Sequence, residues 1–116
     1  MTIQDKILSF KNFQEGWCYG EGIPFKNSII EKALILADKV DITNYKVKAF
    51  PGINSEIQLI ISQGIRYLEI TIEFDELISA VCEVFDKELF YKEKLTLEQA
   101  TKEIINFCKY KNESLK

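Results

Sequence analysis

Ile65-Arg66-Tyr67-Leu68-Glu69-Ile70-Thr71-Ile72-Glu73-Phe74 alternates with a period of two. Leu68, Ile70, Ile72 and Phe74 fall on one side; Tyr67, Glu69, Thr71 and Glu73 fall on the other. Successive strand side chains point to opposite faces, so this stretch predicts a β-strand with one dry face and one wet face. The same period runs upstream: Ser55–Ser62 sets Ile57, Leu59 and Ile61 on one face, and Gln63-Gly64 is a tight-turn signal between the two runs. Lys46–Phe50 predicts a shorter strand that ends at Pro51-Gly52, and Asp75-Glu76 turns the chain into a further run, Leu77–Phe85. Connections this short join antiparallel neighbours, because a parallel crossover needs roughly a dozen residues. Residues 86–95 are charged but include Leu89, Phe90 and Tyr91. They either extend the meander by a hairpin strand or pack beneath it.

The flanks read as helices. Ile3, Ile7 and Phe10 recur at helical spacing over residues 2–14, with Thr2 as a cap and Asp5 near the positive end of the dipole. Ser28-Ile29-Ile30-Glu31 has the form of a capping box, and Ile29, Ile30, Ala33, Leu34, Ala37 and Val40 continue from it as one stripe. Thr96-Leu97-Glu98-Gln99 is a second such box, followed by Ala100, Ile104, Phe107 and Cys108. Three amphipathic helices need an apolar surface, and the sheet offers one. The expected fold is therefore α+β: a two-layer sandwich with three helices packed on a three- to four-stranded antiparallel sheet, in the order α-α-β-β-β-(β)-α.

The length of 116 residues suits one domain spanning 1–116, with 109–116 expected to fray. A chain this long buries roughly 65% of its unfolded surface, enough for a core without staples. At 47% apolar residues and a net charge of −3 it is neither disordered nor a general phosphate-backbone binder. The absence of histidine removes the Ser-His-Asp triad, the Cys-His pair and every His-ligated metal. Cys18, Cys82 and Cys108 form no C-x-x-C pair, so neither a zinc ribbon nor a dithiol site is expected. Three isolated cysteines suit a reducing compartment, with Cys82 and Cys108 read as small core residues. MTIQDKILSF lacks the basic-then-apolar pattern of a secretion signal, and no run reaches the ~18 apolar residues of a membrane span. These features predict a cytoplasmic protein with no membrane contact, no metal and no cofactor.

Glu15-Gly16-Trp17-Cys18-Tyr19-Gly20-Glu21-Gly22-Ile23-Pro24 interrupts the helical pattern. Its glycines match neither G-x-G-x-x-G nor a P-loop, so phosphate binding is not indicated. Trp17 and Tyr19 are costly to leave in water. They either tuck together into the core or form an aromatic hot spot for a protein partner. Trp17, Tyr19, Gly20 and Glu21 are accordingly the candidate partner-binding residues. An alternative ligand face is Tyr67, Glu69 and Glu73 on the wet side of the clearest strand, with Glu56 and Glu83 as neighbours, where paired carboxylates can do acid–base work. A thinner basic patch of Lys26, Lys46, Lys48 and Arg66 beside Tyr45 and Tyr67 has the composition of a single-strand nucleic-acid surface.

Gly16-Trp17-Cys18-Tyr19-Gly20, then Ile23-Pro24, then Ile29, Ile30 and Ala33 resemble a family of small uncharacterised bacterial proteins that carry a G-W-D-G-Y-G-A-like motif before a helix. Pro51-Gly52, Ile57-Gln58-Leu59 and Tyr67-Leu68-Glu69-Ile70 follow in the matching order, so the likeness covers roughly residues 10–75. This chain departs from the motif at its centre. Cys18 alone stands where the motif has an acidic residue and a glycine, and Glu21 replaces the small residue after the last glycine. The resemblance implies a small accessory domain and brings no catalytic residues with it.

The function expected from these features is non-enzymatic: a macromolecular interaction protein, binding a protein partner, of the antitoxin-, immunity- or defence-associated accessory type. A homodimer through a sheet edge is the other partner arrangement it allows. The alternatives are a small enzyme or ligand-binding protein using Tyr67, Glu69 and Glu73, and a nucleic-acid-associated protein or mimic.

Overall fold

In the computed structural model, which describes residues 2–109, Thr2 opens α1 (Ile3–Ser9) with a reciprocal cap. Its hydroxyl accepts from the Asp5 amide at 3.0 Å, and the Asp5 carboxylate accepts from the Thr2 amide at 3.3 Å. The chain then tightens into a 3-10 turn at Phe10–Asn12, so the first helix is shorter than its apolar spacing predicts. Helix α2 (Asn27–Asp38) starts one residue before the anticipated Ser28 box, and no side chain caps it. Ser28 falls inside the first turn, because Lys26 holds the cap position, and Glu76 receives the Lys32 ammonium at 3.0 Å. Helix α3 (Leu97–Lys109) does use its box: Thr96 Oγ1 accepts from the Gln99 amide and Gln99 Oε1 from the Thr96 amide.

The sheet is an antiparallel meander of five strands in chain order: β1 (Lys46–Pro51), β2 (Ile57–Gln63), β3 (Arg66–Ile72), β4 (Ile78–Val84) and β5 (Lys87–Leu95). It exceeds the three or four strands expected because the charged segment 86–95 pairs along β4 with two register shifts. The sequence leaves 86–95 open between a hairpin strand and a segment packed beneath the sheet, because an edge strand can be almost wholly wet. Phe74 corrects another expectation. β3 ends at Ile72, and the Phe74 ring lies outside the core beneath the Lys26 ammonium, 3.8 Å from it.

All three helices contact the sheet or each other, and the residues they cover define one core. Ile57, Leu59 and Ile61 of β2, Leu68, Ile70 and Ile72 of β3, and Ile78 and Ala80 of β4 are fully buried. From α2, Ile29, Ile30, Ala33 and Leu36 meet them, and Ala100, Ile104 and Phe107 do so from α3. The opposite sheet face carries alternate residues such as Ile60, Glu69, Thr71 and Val81, which are only half-buried. Cys82 is buried, and Cys18 and Cys108 are half-buried. The tail 110–116 lies outside the described residues, while Lys109 is the last residue of α3. Among the described residues no helix is long and apolar enough to cross a membrane.

Arg66 is the exception to an apolar inner face. It is in phase with Leu68 and Ile70, and it is 4% exposed. Its guanidinium donates to Tyr45 Oη at 3.2 Å and to the Phe107 carbonyl at 2.9 Å, and its carbon lies 4.4 Å from the centre of the Phe107 ring. Tyr45 in turn donates toward the carbonyls of Phe107 and Cys108. The knot joins the β1 entry, β3 and α3, whose Phe107 carbonyl takes the guanidinium.

Candidate functional site

The loop between the 3-10 turn and α2 closes on itself through backbone bonds. Gly16 N donates to Gly22 O at 2.8 Å, and Cys18 and Glu21 exchange both bonds at 2.7 and 2.8 Å. The result is a miniature hairpin with Tyr19-Gly20 at its tip. Their φ angles are 51° and 88°. Positive φ at both central residues is the type I′ turn, which normally selects Asn-Gly or Asp-Gly. Here a tyrosine holds the first position.

This geometry separates two aromatics that were expected to share one fate. Trp17 sits before the hairpin closes and turns inward. Its ring lies 4.7 Å from that of Phe13 and 6.0 Å from that of Phe25, and its Nε1 donates to Ile23 O at 3.1 Å. Gly22, at φ +103°, leaves the room: a Cβ there would stand 2.5 Å from the indole nitrogen. Tyr19, at the turn itself, projects away from the body and is fully exposed. Gly20 and Glu21 share the exposed tip. Of the candidate partner-binding residues, Trp17 is thus a support and Tyr19, Gly20 and Glu21 are the presented surface.

The alternative face does not assemble as a unit. Tyr67 and Glu69 lie on the open side of β3, but Glu73 lies beyond the strand end. Four residues of extended chain put the Glu69 and Glu73 Cα atoms ~13 Å apart. Tyr67 lines a shallow depression with Lys46, Lys48 and Ile60, whereas Glu73 lines another with Glu56 and Thr71. The carboxylate that Glu69 does feel is Glu83, diagonal to it across β3–β4. Burial first, and Glu83 second, push the Glu69 carboxyl above its ordinary value.

That shift carries a pH consequence. A carboxyl with a raised folded-state pKa keeps its proton over a window where the unfolded chain has lost it. The folded state then binds more protons, and stability falls as pH rises through that window, upward from about 4.5. Glu69→Gln is expected to stabilise the protein near neutral pH and to flatten the stability profile above pH 4.5. Urea melts at several pH values check this; an unchanged profile would mean that the carboxylate is solvated.

The basic patch is also dispersed. Arg66 and Tyr45 are buried on the helix side, and Lys26 is engaged with Phe74, which leaves Lys46 and Lys48 beside Tyr67. A periodic reading of β3 would have found Arg66 inside, because it shares the parity of Leu68. The sheet edges carry Lys46, Lys48 and Pro51 on β1, and Lys87, Glu88, Lys92, Glu93 and Lys94 on β5. Charges, proline and irregular register are how exposed edges resist strand addition, so an edge-paired homodimer gains no support here. Among the described residues no cluster of three or more Cys, Asp or Glu is placed to hold a metal ion.

No family model, curated protein or solved structure matches the chain.

Proposed function

We propose that this protein is a non-enzymatic interaction module of the small bacterial accessory type, antitoxin-, immunity- or defence-associated, that works in the cytoplasm and grips a protein partner with the hairpin tip Tyr19-Gly20-Glu21. The observation that carries this reading is Tyr19: a fully exposed aromatic ring on a left-handed backbone. The left-handed region costs an ordinary residue about 1 kcal/mol, and exposing the ring forgoes its burial. Asn or Gly would sit there at less cost. A side chain held at such a cost has its return elsewhere.

The tip suits partner binding in a second respect. Its closed backbone bonds and the inward Trp17 anchor fix the backbone of the tip before any encounter, so little backbone ordering entropy is left to lose. Tyrosine is a frequent hot-spot residue because it brings contact area with few rotatable bonds. The reading also agrees with the resemblance at Gly16–Gly20.

Tyr19→Asn separates stability from binding. Relief of the left-handed strain is expected to leave Tm unchanged or raise it by about 4 °C. Loss of a hot spot worth ~2 kcal/mol lowers partner affinity roughly 30-fold. The test is capture from the native host with nuclease present, followed by titration of the captured partner against wild type and variant. One stoichiometric protein partner, lost with the folded variant, is the expected result. A partner held equally by both, or no partner for the wild type, would overturn the assignment of the tip.

A further inference from the structure

An apolar cavity of about 240 Å³ opens between α3 and the β4–β5 hairpin. Val84, Leu89, Phe90 and Phe107 wall it, and Arg66 lines it. A guanidinium taken out of water normally meets a carboxylate, because an unpaired buried charge is costly. Arg66 meets none: the ion pairs among the described residues are Lys32–Glu76, Lys92–Glu103 and Lys102–Glu98. Its two hydrogen-bond partners, Tyr45 Oη and the Phe107 carbonyl, are neutral. These contacts occupy two of the five N–H donors a guanidinium offers. Glu103, which also lines the cavity, is taken by Lys92, whose ammonium reaches both carboxylate oxygens at 3.1 and 3.0 Å.

We infer that this cavity is a binding site for a small organic monocarboxylate with a compact apolar body, the carboxylate on Arg66 and the body between Phe90 and Phe107. Arg66 brings a planar donor fork that matches a carboxylate. The walls reward an alkyl or aryl group and offer nothing to a fully polar anion. Phosphate or sulfate would place more charge against these walls and beside Glu103 than one guanidinium can offset. The cavity falls below the ~300–1,000 Å³ of drug-sized pockets, so the ligand is small. The site is independent of the Tyr19 tip, and its test does not involve a protein partner.

Phenylacetate and octanoate, with 2-phenylethanol and octan-1-ol as neutral counterparts, are the probes for amide chemical-shift titration of the labelled full-length protein. The acids are expected to shift Cys82, Val84, Phe90 and Phe107, and each alcohol to bind at least about tenfold more weakly. Asn106→Trp at the exposed rim is expected to block both acids while the protein stays folded. Arg66→Met is expected to erase the preference for acid over alcohol; should that variant not fold, the comparison of acid with alcohol in the wild type still decides. No acid binding up to about 10 mM, equal binding of acid and alcohol, or binding that survives Asn106→Trp would each overturn the site.

Discussion

Trp17→Ala is expected to destabilise the fold by about 3 kcal/mol, near the low end for a tryptophan truncation because the indole is half-buried. The ring is one of four in a continuous cluster: Phe10 lies 5.5 Å from both Phe13 and Phe25, and Phe13 lies 5.8 Å from Phe25. Phe10 is itself fully buried and belongs to the main core, so the cluster fastens the loop to the α1 side of the sandwich. Removing the indole leaves a void against Gly22 and strands the Ile23 carbonyl, whose hydrogen bond is then lost. Chemical denaturation reads the effect directly. A loss below about 1 kcal/mol would show that the indole packs loosely. The contrast with Tyr19→Asn matters for any binding experiment. A variant at Trp17 disturbs the platform, and lost binding would then report on folding as much as on contact.

Ile70→Ala should cost about 4 kcal/mol, within the usual range for deleting a buried branched side chain. Ile70 sits on the central strand between Leu59 of β2 and Ala80 of β4, and all three are fully buried. Strands β2 and β3 both pack against α2, so the methyl groups removed have rigid neighbours on every side. A site that cannot collapse keeps its cavity, and the penalty stays high. The matched control is Ile60→Ala on the other face, half-buried and under no helix, expected to cost about 1 kcal/mol. Equal losses at the two positions would contradict a sheet with one packed face.

Much of this architecture follows from short-range pattern. The alternation of Leu68, Ile70 and Ile72 against Tyr67, Glu69 and Thr71 identifies β3 and its dry face before any partner is known. The Thr2 and Thr96 caps are formed from residues three apart, and the structure contains both. Ser28-x-x-Glu31 has the same form but fails, because the helix already begins at Asn27 with Lys26 at the cap position, which leaves Ser28 inside the first turn. The fifth strand is legible only as one of two options for residues 86–95. An edge strand keeps one ladder and one nearly wet surface, so its sequence does not need to alternate.

The candidate site divides along the same line. Gly16, Gly20 and Gly22 announce an ordered loop, and Trp17 and Tyr19 announce that its aromatics matter. Local sequence contains nothing that sends one inward and the other out. That choice follows from where the hairpin closes, between Cys18 and Glu21, and from which rings wait beneath it. Arg66 shows both halves of the problem. Its parity with Leu68 places it on the buried face, which a periodic reading can recover. Its partners, Tyr45 and Phe107, stand 21 and 41 residues away, and only the packing of α3 across β3 brings them to it. Secondary structure and the dry side of each strand depend on neighbours within about one turn or one pleat. The company a buried charge keeps, and the aromatic that is left outside, depend on contacts that exist only once the layers have closed.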